Sequence, residues 1–205
     1  MIGLFWNVRG LNHVGKKQCL VDIIKECKAD FVGFMETKKE QFSAFYLQSL
    51  VPGKNFVWHF IPATGTAGGI LLGLNSELFE VVGYIDRKYT LFATVINKYD
   101  GFAWHLVIVY GTAYSEFKLE FLAELHDVME NASLPICVGG DFNFVRDSSD
   151  KSNGNINQHL ALLFNGWINK WGLLEIEISN RNFTWSNNQD VPVLTTIDRI
   201  FCSIC

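Results

Sequence analysis

The sequence predicts an α+β domain in which two β-sheets pack together and helices lie outside them. Three observations carry that prediction. Five strand-like apolar runs follow one another between positions 56 and 110, each separated from the next by Gly, Asn or Asp. Segments of helical periodicity come before, within and after the strand-rich part of the chain. The chain has 205 residues, 49% of them hydrophobic, with a formal net charge of -4. That is enough for one sizeable core, and too apolar and too weakly charged for a disordered chain.

The elements follow in order. Ile2 to Trp6 reads as a strand, and Asn7-Val8-Arg9-Gly10 as a loop. Lys16 to Lys28 carries Cys19, Leu20, Ile23, Ile24 and Cys27 at helical spacing. Asp30 to Met35 is a buried strand ending at Glu36, and Phe42 to Leu50 a helix stopped by Pro52 and Gly53. The five central strands are Phe56–Ile61, Gly69–Leu74, Phe79–Ile85, Thr90–Asn97 and Ala103–Tyr110. Tyr99-Asp100-Gly101 is the hairpin signal between the last two. Ser115 to Asn131 is a helix, with Ser115 as its cap and Phe117, Phe121, Leu122, Leu125, Val128 and Met129 as its apolar face. Leu134 to Val138 is a strand, Asp147 to Asn155 a loop and Asn157 to Trp171 a helix. Arg181–Ser186 and Thr196–Cys202 are the last two strands.

Composition excludes several classes. No apolar run approaches the roughly 18 residues of a membrane span. Met1 to Gly10 lacks the charged-then-apolar layout of a signal peptide. A soluble intracellular protein with no membrane partner is therefore expected. Five scattered cysteines do not suggest a disulfide framework. Cys202-x-x-Cys205 has zinc or redox spacing but no second pair and no nearby His, so it reads as ordinary small apolar residues. Gly65-Thr66-Ala67-Gly68-Gly69 reads as a flexible loop, and the Lys16-Lys17 and Lys38-Lys39 pairs as solvated helix ends.

The informative polar residues stand at strand ends, where a sheet scaffold presents a site. They are Asn7, Glu36, Tyr110, Asp141, Asn143 and Asp198. A carboxylate binds a hard cation such as magnesium, which keeps several waters and needs only one or two carboxylates. A second Asp moves a proton or orients water. Asn and Tyr hold a phosphoryl oxygen by hydrogen bonds. Together these are the parts for metal-assisted phosphodiester hydrolysis. The mild acidity of the chain is compatible with that, because the cation supplies local positive charge.

The order and local sequence of these residues carry a resemblance. Trp6-Asn7-Val8-Arg9-Gly10-Leu11, Met35-Glu36-Thr37, Val109-Tyr110-Gly111, Gly139-Gly140-Asp141-Phe142-Asn143 and Thr196-Ile197-Asp198-Arg199-Ile200 together resemble the endonuclease/exonuclease/phosphatase superfamily. The fold implied is the DNase-I-like four-layer α/β/β/α sandwich, spanning 1–205. With Asp198-Arg199, the segment Asn182-Phe183-Thr184-Trp185-Ser186-Asn187-Asn188 is similar to the endonuclease domain of plant LINE-type non-LTR retrotransposons. The resemblance implies Mg2+ as cofactor, with Mn2+ as the alternative, and DNA as partner. It implies a monomer in the nucleus and a parent polyprotein that continues into a reverse transcriptase. Position by position, it makes Glu36 the metal ligand with Asn7 beside it. Asp141 handles the proton of the attacking water or of the leaving group, and Asn143 fixes that Asp or the phosphate. Tyr110 contacts the scissile phosphate, Asp198 orients a catalytic His, and Thr184 lies on the nucleic-acid side.

Two departures qualify this picture. Arg9 stands where abasic-site endonucleases place an acidic residue, which disfavours abasic-site repair. The family closes with a Ser-Asp-His segment on a further strand, and here no His follows Asp198. The expectation is a C-terminally incomplete domain whose own activity is open. The alternatives are an inactive retroelement remnant with residual nucleic-acid binding, and a phosphoesterase of the same fold acting on inositol phosphates or sphingomyelin.

Overall fold

The computed structural model describes residues 1–65, 67–179 and 182–203. The elements are β1 (Gly3–Asn7), α1 (Lys16–Glu26), β2 (Phe31–Met35), α2 (Ala44–Gln48), β3 (Phe56–Thr64), β4 (Ala67–Asn75), β5 (Phe79–Asp86), β6 (Thr90–Asn97) and β7 (Ala103–Tyr110). They continue with α3 (Lys118–Glu130), β8 (Ile136–Asp141), α4 (Gln158–Lys170), β9 (Leu173–Glu175), β10 (Trp185–Ser186), β11 (Leu194–Thr195) and β12 (Asp198–Ser203). A four-stranded sheet has the order β1-β2-β4-β3, and a six-stranded sheet the order β5-β6-β7-β8-β12-β9. β10 and β11 form a small hairpin of their own.

Strand alternation generates the layers. Along β7, Trp104, Leu106 and Ile108 enter the core between the sheets, while Val107 and Val109 enter the core beneath α3 and α4. Along β2, Phe31 and Met35 face the other sheet, while Val32 and Phe34 face α1. A strand covered on both faces reads as an unbroken apolar run. The result is the expected sandwich: helices α3 and α4, six strands, four strands, then α1 and α2. The sheets approach closely because small residues allow it. A Cβ on Gly33 would lie 2.5 Å from Ile108 Cδ1.

Several details differ from the sequence reading. Ser115 opens a 3-10 turn, and α3 begins at Lys118 without a side-chain cap. Phe117 therefore turns outward, and Lys118 occupies the buried stripe in its place. Gly68 is not loop but lies with Gly69 in β4. The Gly69 carbonyl accepts from Thr37 N, and the Gly68 carbonyl from Lys38 N. Their positive φ values of 82° and 89° explain why glycine stands there. The expected strand from Arg181 contracts to Trp185–Ser186, with Arg181 itself outside the described residues. Cys205 also lies outside them. The short β9 and β11 had no sequence signal. No helix among the described residues is long and apolar enough to cross a membrane.

Candidate active site

β1 and β2 run parallel in one sheet, and β7 and β8 in the other. Asn7, Glu36, Tyr110 and Asp141 consequently stand at or just past the C-terminal ends of these four strands. β12 runs antiparallel to β8, so its first residue, Asp198, arrives at the same end, paired with Asp141. The Phe142 N–H donates to the Ile197 carbonyl. By the alternation of an antiparallel ladder, Asp141 and Asp198 then form a non-hydrogen-bonded pair, the kind whose side chains approach most closely.

Asp141 is the best-anchored of these groups. It is 3% exposed. Its Oδ2 accepts from Asn7 Nδ2 at 2.8 Å, across the gap between the two sheets. Its Oδ1 accepts from Asn143 N at 2.9 Å, the Asx turn that a short side chain makes two residues on. Burial pushes the Asp141 carboxyl up to about 7, with the facing Asp198 charge adding to the rise. The hydrogen bonds from Asn7 and Asn143 and the charge of Lys118 work against that rise.

Asn143 adopts φ 52°, a left-handed conformation that Asn tolerates better than most residues. Its Nδ2 donates to the Gly111 carbonyl at 2.9 Å, and its own carbonyl accepts from Lys118 Nζ. Lys118 is 6% exposed and lies over the Phe144 ring at 4.7 Å. Burial lowers its ammonium to about 8. This residue was absent from the sequence reading, although it sits at helical spacing with Phe121, Leu122 and Leu125. A lysine in an apolar stripe is a signal that something polar lies beneath the helix.

Glu36 follows β2 in the left-handed region at φ 55°, and Lys38 at φ 54°. Non-glycine residues held there cost on the order of 1–3 kcal/mol each and cluster at functional sites. The Glu36 carboxylate accepts from Lys38 Nζ at 2.9 Å. It also hydrogen-bonds Tyr110, whose hydroxyl is pushed well above the ordinary phenol range by burial and by Glu36 and Asp141. Tyr110 therefore keeps its hydroxyl proton at neutral pH and can donate a hydrogen bond.

A cavity of ≈ 490 Å³ opens beside these groups, lined by Phe5, Trp6, Asn7, Arg9, Asp141, Thr184, Trp185 and Asp198 among others. It brings Asn7, Asp141, Thr184 and Asp198 together. Glu36, Tyr110 and Asn143 adjoin it through the contacts just described. Thr184 Oγ1 accepts from Ile197 N and Asp198 N, both at 3.1 Å, and so fixes the entry of β12. The Arg9 guanidinium lies 5.9 Å from the Trp185 ring centroid. His13, His59, His105, His126 and His159 do not line this cavity.

Beneath Asp198 lies an ion network the sequence did not announce. Arg199, 4% exposed at its side chain, pairs with Asp150 and Glu175, and Glu175 also pairs with Arg146. This ties β9, β12 and the turn at 148–150 into one unit.

The donor set around the cavity consists of hard oxygens: the carboxylates of Glu36, Asp141 and Asp198 and the amide oxygen of Asn7. Among the described residues no three His, Cys, Asp or Glu side chains cluster closely enough to cage a metal. That set fits a cation that keeps most of its waters and takes one or two carboxylates, as magnesium does. It does not fit a structural zinc site.

Comparison with known proteins agrees with this fold. The human Nocturnin catalytic domain superposes with a TM-score of 0.66 at 16% identity, over 98% of this chain and 82% of that one. Danio rerio TDP2 complexed with a single-strand DNA product gives 0.68 at 16% identity, over 98% and 82%. Mannosyl-6-phosphatase from Bacteroides thetaiotaomicron gives 0.65 at 14% identity, over 98% and 84%. At such identities these likenesses concern the fold. No curated protein sequence matches the chain. The endonuclease/exonuclease/phosphatase family model matches residues 4–203, nearly the whole sequence. The chain belongs to the endonuclease/exonuclease/phosphatase family.

Proposed function

We propose that this chain is a metal-dependent phosphodiesterase of the DNA-nicking kind found in LINE-type non-LTR retrotransposons. The observation that carries the reading is the buried Asp141, anchored by Asn7 and Asn143 and poised near neutrality. A carboxyl group with a pKa close to working pH is suited to both halves of proton transfer. In this reading Glu36 and the amide oxygen of Asn7 hold the magnesium ion. When bound, the ion supplies Lewis acidity at a phosphoryl oxygen. Asp141 takes the proton of the attacking water or delivers one to the leaving oxygen. Asn143 keeps Asp141 in place. Tyr110 donates a hydrogen bond from its hydroxyl to a non-bridging phosphate oxygen. Thr184, Trp185 and Arg9 form the side on which the nucleic acid lies, and the nucleus is the compartment where that substrate resides.

A second reading is a nucleic-acid-binding module without turnover. It is favoured by one observation: among the described residues no imidazole lines the cavity beside Asp198.

Nicking of supercoiled plasmid with magnesium tests both. Under the first reading the chain nicks, Glu36→Ala and Asp141→Ala abolish nicking, and a polymerase extends the nick from its 3′-hydroxyl. Plasmid shifted in a gel but left intact, also by a version carrying an appended His-bearing strand, excludes the first reading and selects the second. Nicking that survives both substitutions overturns the site assignment.

A further inference from the structure

Cys137 stands in β8 and Cys202 in β12, directly opposite one another in the antiparallel register. The Ile200 carbonyl accepts from Ile176 N, on the β9 side of β12. Backbone groups two residues apart in a strand point the same way, so Cys202 also directs its backbone toward β9. Cys137 and Cys202 therefore form a non-hydrogen-bonded pair, the class with the shortest Cα separation, about 4.5 Å. That lies at the near end of the 4.4–6.8 Å range a disulfide spans, so no large backbone movement is needed (both limits are approximate). The two side chains share one face of the sheet, and each thiol shifts the titration of the other. Both are free thiols.

Their surroundings leave a way in. A Cβ on Gly139 would strike the Phe5 ring, so the face bearing 137, 139 and 141 looks toward the four-stranded sheet. That sheet ends at β1. Leu174, paired with Cys202 on the same face, is 59% exposed. Cys202 is half-buried at the margin of this uncovered area.

We propose that Cys137 and Cys202 are a redox-reactive dithiol, a modification site at which a low-molecular-weight disulfide such as oxidised glutathione closes a cross-strand bridge. Cys202 is the attacking group. The Cys137 thiol donates to its sulfur and brings it down to about 7, whereas Cys137 itself is pushed up. The Cys202 thiolate attacks one sulfur of glutathione disulfide. The glutathione S–S bond breaks, and the first glutathione leaves as a thiolate that takes a proton from water. Cys137 then loses its proton to solvent and attacks the Cys202 sulfur, expelling the second glutathione. Two protein thiols are oxidised and one glutathione disulfide is reduced to two glutathiones. The bridge is reversed by the same exchange run backwards with reduced glutathione.

The test is made on the folded chain in glutathione redox buffers near neutral pH, followed by acid quench, alkylation and peptide mapping by mass spectrometry. The expected product is one cross-linked peptide pair holding Cys137 and Cys202, two hydrogens lighter and reversed by dithiothreitol. It forms at least tenfold faster in the folded chain than in urea. Cys205→Ser keeps the cross-link. Cys137→Ser leaves a stable mixed disulfide on Cys202, with retained fold checked by circular dichroism. A Cys202–Cys205 bridge, glutathione on Cys202 with Cys137 still free in the wild-type chain, or thiols that remain unreacted overturns the proposal.

Discussion

The space between the two sheets has two halves, and they differ sharply. Where β2 and β4 face β6 and β7, it is dry: Met35, Ile70 and Leu72 meet Leu91, Ala93, Leu106 and Ile108. Where β8 and β12 continue past the edge of β1, the same face holds Gly139, Asp141, Asp198 and Ile200 beside an open cavity. Six strands opposite four leave the wider sheet with uncovered width. The lesson is that one architecture supplies both core and site. Covered strands become core, and the polar residues stand where the cover stops and water can reach.

The largest expected effect breaks the polar half. Asp141→Asn removes the titrating group while keeping the shape, and plasmid nicking should fall about 10²–10⁴-fold, the range for a lost general acid or base. Next comes the network under Asp198. Arg199→Leu removes its buried guanidinium, leaving Glu175 with Arg146 alone and Asp150 with the Arg146 backbone N–H, and urea unfolding should show a loss of about 3 kcal/mol, the low end for breaking a buried ion pair.

The two halves are compared directly by truncating one isoleucine in each. Ile108 is fully buried between the sheets, and Ile108→Ala should cost about 2–5 kcal/mol. Ile200 lines the cavity, and Ile200→Ala should cost about 1 kcal/mol. Equal costs in urea titrations would mean that the halves are packed alike, and the contrast drawn above would fall.

The smallest effect concerns pH, read in chelator so that no metal contributes. The Asp141 carboxyl is raised to about 7 in the folded chain from an ordinary value of 3.8. Between those two values the folded state holds a proton that the unfolded state has released, so stability falls as pH rises, and the loss is complete above the folded pKa. Asp141→Asn should therefore be more stable than the wild type above pH 7, as read from urea unfolding at each pH. The advantage should shrink to nothing toward pH 4.

The strand-rich centre was legible because β6 and β7 are covered on both faces, and their sequences are near-continuous apolar runs with turn residues between them. The candidate site was legible at Asn7, Glu36, Tyr110, Asp141 and Asp198 for a related reason: a polar residue at the end of an apolar strand, first or last, is conspicuous. The rest depends on contacts far apart in sequence. β9 and β11 are short and have too little period to read. Lys118 stands out locally only as a lysine in an apolar stripe, and nothing local says that the Asn143 carbonyl lies beneath it. Arg199 sits in an apolar strand with its partners Asp150 and Glu175 in segments read as loop or left unassigned.

One feature of the six-stranded sheet bears on the order of assembly. β12 lies between β8 and β9, and β9 joins the sheet only through β12. β9 is made first, yet it has no ladder partner until residues 198–203 have been inserted. Until then Asp150 also lacks its guanidinium. The helix and central strands can collapse early, while β9 and β12 wait to dock together as a late unit. Pairings of this kind close long stretches of chain and are slow. In pulse-labelling hydrogen exchange, amides of β6 and β7 should gain protection first, with those of β9 and β12 following together.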